Sequence, residues 1–206
     1  MKSMKLSRIL SLVLAVTCFS ALGTAFSQVA PAAHQGQLPF SAGAAASNFR
    51  VDWGQNRMEG FTVWGDWRPR PDGALSGLGL DVEVRDIDFG RSSSLPSNFK
   101  QVTGGGGPIY YVRVFRNFQV YGKWLFGFGS MDFKTSDPYY THDTRNFSAP
   151  GGGFQYRLYH HLWARADYEY QMWPDLFPNK NNPQGGTMDP QGFTLGFSYD
   201  FRPQWH

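Results

Sequence analysis

The sequence predicts an all-β chain, an eight-stranded antiparallel up-and-down β-barrel that crosses a membrane. Three observations carry that expectation. In the last strand, Phe193, Leu195, Phe197, Tyr199 and Phe201 are large and apolar, while Thr194, Gly196, Ser198 and Asp200 between them are small or polar. Strict period-two alternation marks a strand with one greasy face. Short and long connections alternate along the chain, as they do where tight turns face one side of a membrane and loops the other. Beyond the first residues no apolar run approaches the ~20 residues of a membrane helix. The mean hydropathy of −0.40 is no obstacle, because only alternate residues of a barrel meet lipid.

The amino-terminal segment reads as an export signal over residues 1–27. Lys2, Lys5 and Arg8 form a positive region, Ile9 to Phe19 an apolar one, and Ala25-Phe26-Ser27 supplies small residues for cleavage. The chain has 19 Lys and Arg against 16 Asp and Glu, and those three cations account for the whole excess. The mature chain is therefore formally neutral, and its basic isoelectric point does not indicate nucleic acid. Cys18, the single cysteine, lies in the signal, so disulfides do not staple the mature fold. A lipoprotein signal acylated at Cys18 is the alternative, and Ala15-Val16-Thr17 matches it poorly.

Residues 28–39, rich in Ala, Pro and Gln, read as a flexible periplasmic lead-in. The barrel is expected over residues 40–201, with 202–206 as a tail. The first strand runs from about Phe40 to Trp53, with Phe49, Val51 and Trp53 on one face. Its alanine-rich start has the opposite parity, which calls for a bulge near Ser47. The second, Gly60 to Arg68, turns Phe61, Val63 and Trp67 outward. The third, Gly77 to Phe89, alternates Leu78, Leu80, Val82 and Val84 with Asp81, Glu83 and Arg85. The remaining strands are Pro108 to Arg116, Phe118 to Met131, Pro150 to Tyr159, Leu162 to Met172 and Gly192 to Phe201. Long connections follow at Gly90 to Gly107, Asp132 to Ala149 and Trp173 to Gln191. Short ones lie at Pro69 to Ser76, Asn117 and His160-His161.

The aromatic closing strand resembles the last strand of small eight-stranded outer-membrane barrels of the OmpA and OmpX type, and the resemblance spans about Phe40 to Phe201. It implies that Phe193, Leu195, Phe197, Tyr199 and Phe201 form the signal read by the barrel assembly machinery, with periplasmic chaperones acting earlier. It also implies residence in the outer membrane of a Gram-negative-type bacterium, contact with outer-membrane lipid and lipopolysaccharide, and a non-enzymatic structural, envelope-integrity or surface-interaction role through extracellular loops. No cofactor is implied. Arg202-Pro203-Gln204-Trp205-His206 departs from the family by following the terminal Phe, and Pro203 favours Phe201 over Trp205 as the aromatic that is read.

With apolar faces outward, the opposite face collects Arg50, Arg85, Arg113, Lys123, Arg157 and Arg165, and also Asp52, Asp66, Asp81, Glu83, Asp167 and Glu169. An eight-stranded barrel is just wide enough to be filled by side chains. Enclosed charges must then pair, so this balanced set reads as a salt-bridge core, with Arg113 as the expected partner of Asp81 or Glu83. A narrow ion path or a catalytic carboxylate cluster is the functional alternative. Asp167 and Glu169 beside Arg165 fit pairing better than general acid–base work.

His142 with Asp143 and Asp137 is a weak metal or acid–base candidate, and His160-His161 lacks supporting ligands. Some barrels of this size modify lipid A with a His and a Ser on the lipid face, but no position expected to face outward is a histidine. The runs Gly104 to Gly107 and Gly151 to Gly153 lack the Gly-Lys-Ser/Thr of a phosphate loop and read as places where strands bend or approach closely at the barrel rim. Trp53, Trp67, Trp163 and Trp173 suit an interfacial girdle, and Trp64 and Trp124 are ambiguous. A small pore, an envelope enzyme and a soluble lipocalin-like barrel with its apolar face inward remain the competing readings.

The mature protein is expected to begin near Gln28. Intact-mass measurement of the exported protein checks this, and a lipid-modified species beginning at Cys18 would contradict it.

Overall fold

The computed structural model describes residues 40–51, 57–69, 75–89, 99–133, 142–176 and 186–201. The expected signal, lead-in and tail, together with Asp52, Trp53 and Asp137, lie outside the described residues. The described residues form ten strands: β1 (Phe40–Arg50), β2 (Arg57–Trp67), β3 (Leu78–Phe89), β4 (Phe99–Phe115), β5 (Phe118–Phe133), β6 (His142–Arg157), β7 (Leu162–Tyr170), β8 (Trp173–Leu176), β9 (Gly186–Met188) and β10 (Gln191–Asp200). Eight of them close an antiparallel barrel in the order β1-β10-β7-β6-β5-β4-β3-β2. Closure pairs every wall strand on both sides, which lipid demands because it offers no partner for a free N–H or C=O. The seam is long: β1 and β10 pair without interruption from Ser41↔Asp200 to Arg50↔Gln191.

One end of the barrel carries the tight connections, at residues 116–117 and 158–161, together with the start of β1 and the end of β10. At the other end the strands are longer than expected. β4 begins at Phe99 and β6 at His142, so much of two segments read as loops is strand. The segment between β7 and β10 contains the β8-β9 hairpin, which pairs Trp173 with Met188. Both glycine runs sit within strands and not at the rim. Gly107 is needed there, because a Cβ would collide with the Trp124 carbonyl of β5.

The polarity of the wall inverts toward the loop end. At mid-height the outward face is apolar, with Val82, Phe126, Phe154, Leu195 and Phe197 all about half exposed, and the inward face is charged. Nearer the loops, Phe49, Val51, Met58, Ile87, Met131 and Phe147 point inward and are buried, whereas Arg50, Arg57, Glu59, Asp88, Asp132 and His142 point outward and are exposed. Inversion without a change of register marks where the surrounding solvent changes from lipid to water. The bulge expected near Ser47 is absent for this reason, since β1 pairs continuously with both neighbours. Arg50 is accordingly not a lumen charge: it shares the outward parity of Ala46 and Asn48.

Two tryptophans expected in a girdle are also inside. Trp163 and Trp173 are buried, as is Trp64, while Trp67 and Trp124 face outward. Trp124 satisfies its indole N–H on the outer surface by donating to Ser148 Oγ at 2.8 Å.

On β3, a charge placed within the apolar belt should cost ~2–4 kcal/mol and one beyond its edge about 1 kcal/mol or less. Val82→Arg is expected to show the large loss in a urea titration of folding into phospholipid vesicles, and Asp88→Arg the small one. Equal losses would mean the belt edge lies elsewhere.

Candidate functional site

The inward face at mid-height is a continuous network of charged and hydrogen-bonded side chains drawn from strands around the barrel. Arg165 of β7 is its lower hub. Its guanidinium reaches Asp66 Oδ2 at 3.2 Å, Asp81 Oδ2 at 3.1 Å and Asp167 Oδ2 at 3.3 Å, and its Nε donates to the Tyr121 hydroxyl at 2.7 Å. The same guanidinium lies over the rings of Trp64 and Tyr121, 4.6 and 4.5 Å from their centroids. Lys123 of β5 forms the middle hub, with Nζ 2.6 Å from Glu83 Oε2, 3.2 Å from Glu169 Oε2 and 3.5 Å from Asp167 Oδ2. Above it Arg85 of β3 binds both oxygens of Glu169 at 2.7 and 3.1 Å, pairs with Glu83, and donates to Thr62 Oγ1 at 3.0 Å.

Neutral groups extend the network at both ends. Below, the Tyr111 hydroxyl donates to Asp66 at 2.8 Å and Ser41 Oγ donates to the same oxygen at 3.2 Å. Above, Gln171 Nε2 donates to Glu169 at 3.0 Å, and Gln171 Oε1 accepts from Gln101 at 2.7 Å and from the Trp173 indole at 3.0 Å. Trp173 in turn stacks on Phe147 with ring centroids 5.2 Å apart, inside the apolar cluster that fills the loop end. The lumen therefore passes without a break from ion pairs to an apolar cap.

Period two explains why these residues meet. Asp81, Glu83 and Arg85 are alternate residues of β3, and Arg165, Asp167 and Glu169 are alternate residues of β7, so each strand presents three charges to one interior. Pairing across the lumen is set by height: Arg85 is 84 residues from Glu169 in sequence and touches it directly.

Of the charges read as lumenal, Asp66, Asp81, Glu83, Arg85, Lys123, Arg165, Asp167 and Glu169 are buried inside the barrel. Three are elsewhere. Arg50 faces outward at the loop end. Arg113 keeps the parity of Ile109 and Tyr111 but is exposed beside a register shift at the turn end, and Asp81 and Glu83 pair with Arg165, Arg85 and Lys123 instead. Arg157 is half-buried at the same end, donating to Asn117 Oδ1 at 2.6 Å.

Asp200 is buried, as the alternation of the closing strand expects, and Arg68, which lies outside the expected lumen set, is buried as well. Arg68 keeps the parity of Asp66 but lies one residue past the end of β2, where alternation alone does not fix a side chain's place. Among the described residues the buried set is then four cations and six carboxylates, not a balanced one. Hydroxyl and amide donors make up part of the difference, with Tyr111 on Asp66, Tyr121 on Asp167 and Gln171 on Glu169. A carboxylate can be held by neutral hydrogen bonds as well as by a cation.

His142 contradicts the expectation that no histidine faces outward. It sits on the outer face of β6, with Nδ1 2.5 Å from Asp132 Oδ1 and Nε2 3.3 Å from Thr144 Oγ1. Asp143, its expected companion, points the other way and pairs with Arg145 at 3.1 Å. The His142 and Asp132 side chains are 59% and 52% exposed on a convex wall. Acid–base or acyl-transfer chemistry depends on an enclosed, water-excluded site to stabilise developing charge, which this surface does not provide. His161 lies in a turn, with its Nδ1 2.8 Å from the Asp200 carbonyl oxygen and its ring stacked on Tyr199.

A closed eight-stranded wall that is apolar outside at mid-height and charged within is a transmembrane β-barrel. The family model for the outer membrane protein beta-barrel domain matches residues 18–201, and the chain belongs to that family. Several solved structures are similar to the chain. The crystal structure of Neisserial surface protein A is similar with a TM-score of 0.56 at 14% identity, covering 78% of this chain and 95% of that one. The attachment invasion locus protein Ail of Yersinia pestis gives 0.49 at 19% identity over 78% and 95%. The N-terminal barrel domain of Pseudomonas aeruginosa OprF gives 0.46 at 12% identity over 80% and 100%. At 14% identity, the likeness to Neisserial surface protein A speaks to the fold alone. No curated protein matches the chain.

Lys123→Met should strand the carboxylates of Glu83, Glu169 and Asp167 and cost about 3–5 kcal/mol of folding stability. Adding Glu83→Gln should recover a measurable part of that loss, because the two side chains touch. Strictly additive losses in the double-mutant cycle would show that they do not.

Proposed function

We propose that the protein is a non-enzymatic barrel of the outer membrane, exported by its amino-terminal signal, whose role is structural or interactive and is exercised at the loop end. The observation that carries this reading is the sealed lumen. A water-filled channel leaves its lining side chains accessible, whereas the side chains of Arg85, Glu83, Lys123, Arg165, Asp81, Asp167 and Glu169 are at most 5% accessible. An apolar cap covers them on the loop side. Passage through the barrel is disfavoured on both counts, and among the described residues no enclosed site is present for chemistry. The outer surface and the connections remain.

The wall itself favours surface interaction over a purely structural role. β4, β5 and β6 continue past the end of β7 as a sheet, and above the isolated Ser148↔Met172 bridge, where β8 packs beside it, β6 joins no further ladder on that side among the described residues. Exposed strand edges are templates for added strands.

The test has two arms. The folded protein in planar bilayers is expected to give no resolved conductance steps, and stable steps would favour the pore. In cells, shortening the β3–β4, β5–β6 and β8–β9 connections should abolish the surface or permeability phenotype of expression while leaving a barrel that resists detergent until heated. A phenotype indifferent to the connections would locate the role in the barrel body.

A further inference from the structure

The outer face of β1 and its two neighbours carries an arrangement that the barrel's own stability does not require. Arg50 and Arg57 stand directly opposite each other on β1 and β2, both exposed and both outward. Like charges directly opposed across two strands are destabilising. Among the described residues neither takes part in an ion pair closer than 4 Å. Arg57 is held in place by a neutral contact: its Nη1 donates to Asn48 Oδ1 at 2.8 Å, and Asn48 donates in turn to Glu59 Oε1 at 3.1 Å. Glu59 thus orients the amide that fixes Arg57. Among the described residues, the further acidic groups on this stretch of wall are Asp88, opposite Glu59 on β3, and Asp86, opposite Phe61 and paired with Lys100 at 3.0 Å.

Below the arginines the wall changes character. The outward residues of β1 are Ala42, Ala44 and Ala46, and the strands on either side present much larger groups. Ala46 is flanked by Phe61 and Leu195, and Ala44 by Val63 and Phe197. Phe61, Leu195 and Phe197 are 52%, 64% and 58% exposed, so they rise as two ridges beside an alanine floor. The result is an apolar furrow one strand wide that runs from the arginine pair into the belt. Phe193, the last outward aromatic of β10, lies opposite Asn48, one outward step below Arg50. At ~3.3 Å rise per residue and a strand tilt of ~40°, that step is about 5 Å of height, which sets both guanidiniums at the level of lipid headgroups.

We propose that Arg50 and Arg57 bind a phosphate group of a phosphorylated glycolipid in the surrounding leaflet, with one of its acyl chains lying in the furrow over Ala46 and Ala44. Arginine's planar fork matches phosphate oxygens in two parallel hydrogen bonds, and two forks side by side share one dianion. That anion converts a repulsive pair into a bridged one. A soluble anion would satisfy the arginines but not the furrow, and an uncharged lipid the furrow but not the arginines. The site faces sideways from the wall, where a membrane lipid lies. This inference rests on the barrel's place in the membrane and not on any role of its loops.

The experiment uses the full mature barrel in phosphatidylcholine nanodiscs, titrated with fluorescent diphosphoryl lipid A and, separately, with its dephosphorylated form. Heat-sensitive electrophoretic mobility confirms folding in each case. Wild type should prefer the phosphorylated lipid, and Arg50→Gln/Arg57→Gln should weaken that binding about tenfold or more while leaving the dephosphorylated lipid unaffected. Ala46→Phe, which fills the furrow and keeps both arginines, should weaken both lipids. Arg50→Lys/Arg57→Lys should lie between wild type and the glutamine variant, and if the glutamine pair does not assemble, the single variants make the same comparison. Equal affinity of wild type and the arginine variants for diphosphoryl lipid A would overturn the proposal. So would displacement of the lipid by millimolar inorganic phosphate, which would make this a site for free anions.

Discussion

Everything inside this barrel depends on the contacts of three buried cations, Arg165, Lys123 and Arg85, with the carboxylates that surround them. Lipid forces closure of the wall, and eight strands leave an interior only as wide as the side chains pointing into it. With the apolar residues turned outward, the polar ones are left to pair with one another in a space closed to bulk solvent. Removing any hub would leave two or three carboxylates in a medium of low polarizability, so the network is cooperative by construction. The wall strands are held together by backbone pairing, but the lumen sets the heights at which strands far apart in sequence face one another, as Arg85 and Glu169 do.

The same constraint explains the loop end. Where the strands rise beyond lipid, the outer face meets water and the inner face no longer has to be polar. The chain answers with Phe49, Met58, Ile87 and Met131 inside and with charged groups outside, on strands whose register is unbroken. The barrel is thus two barrels end to end, a membrane one with a polar core and a short water-exposed one with an apolar core. The join is bridged by Gln171, which accepts from Trp173 of the apolar cap and donates to Glu169 of the ionic core. The cap seated on an ion-pair core is what supports the proposed sealed lumen, and the outward charges beyond the belt, Arg50 and Arg57 among them, are those proposed to meet lipid headgroups.

Much of this was legible in the alternation. The closing strand, the two-faced third strand and the Arg165, Asp167, Glu169 triplet follow from period two once the apolar face is assigned to lipid. The errors share one cause. Alternation states which residues share a face but not which face is inside, and the assignment was carried past the point where the solvent changes. Extended past that point, the alternation turns Phe49 and Val51 outward and Arg50 inward, and it calls for a bulge near Ser47 that the continuous pairing of β1 makes unnecessary. Trp163 and Trp173 were misplaced by treating aromatic residues near strand ends as girdle, although Trp173 packs on Phe147 within the cap. Height was the other missing coordinate. Parity gave Arg113 the same face as Lys123, but only the three-dimensional stagger shows that Arg113 sits at the turn end, out of reach of Asp81 and Glu83. The outward His142 was hidden because the sequence assigned its segment to a loop.

The central claim is that the lumen is dry and paired, and the most direct measurement is the exchange of its side-chain protons with water. In barrels labelled at Lys and Arg and reconstituted in lipid, NMR can follow the Lys123 ammonium and the Arg165 and Arg85 guanidinium protons separately from those of exposed arginines. A sealed ionic core predicts resolved, slowly exchanging signals for these three residues with through-space contacts to Glu83, Glu169 and Asp81, against rapidly exchanging signals for Arg50 and Arg113. Exchange at Lys123 and Arg165 as fast as at Arg50 would mean that water fills the lumen and that the ion pairs are not its core.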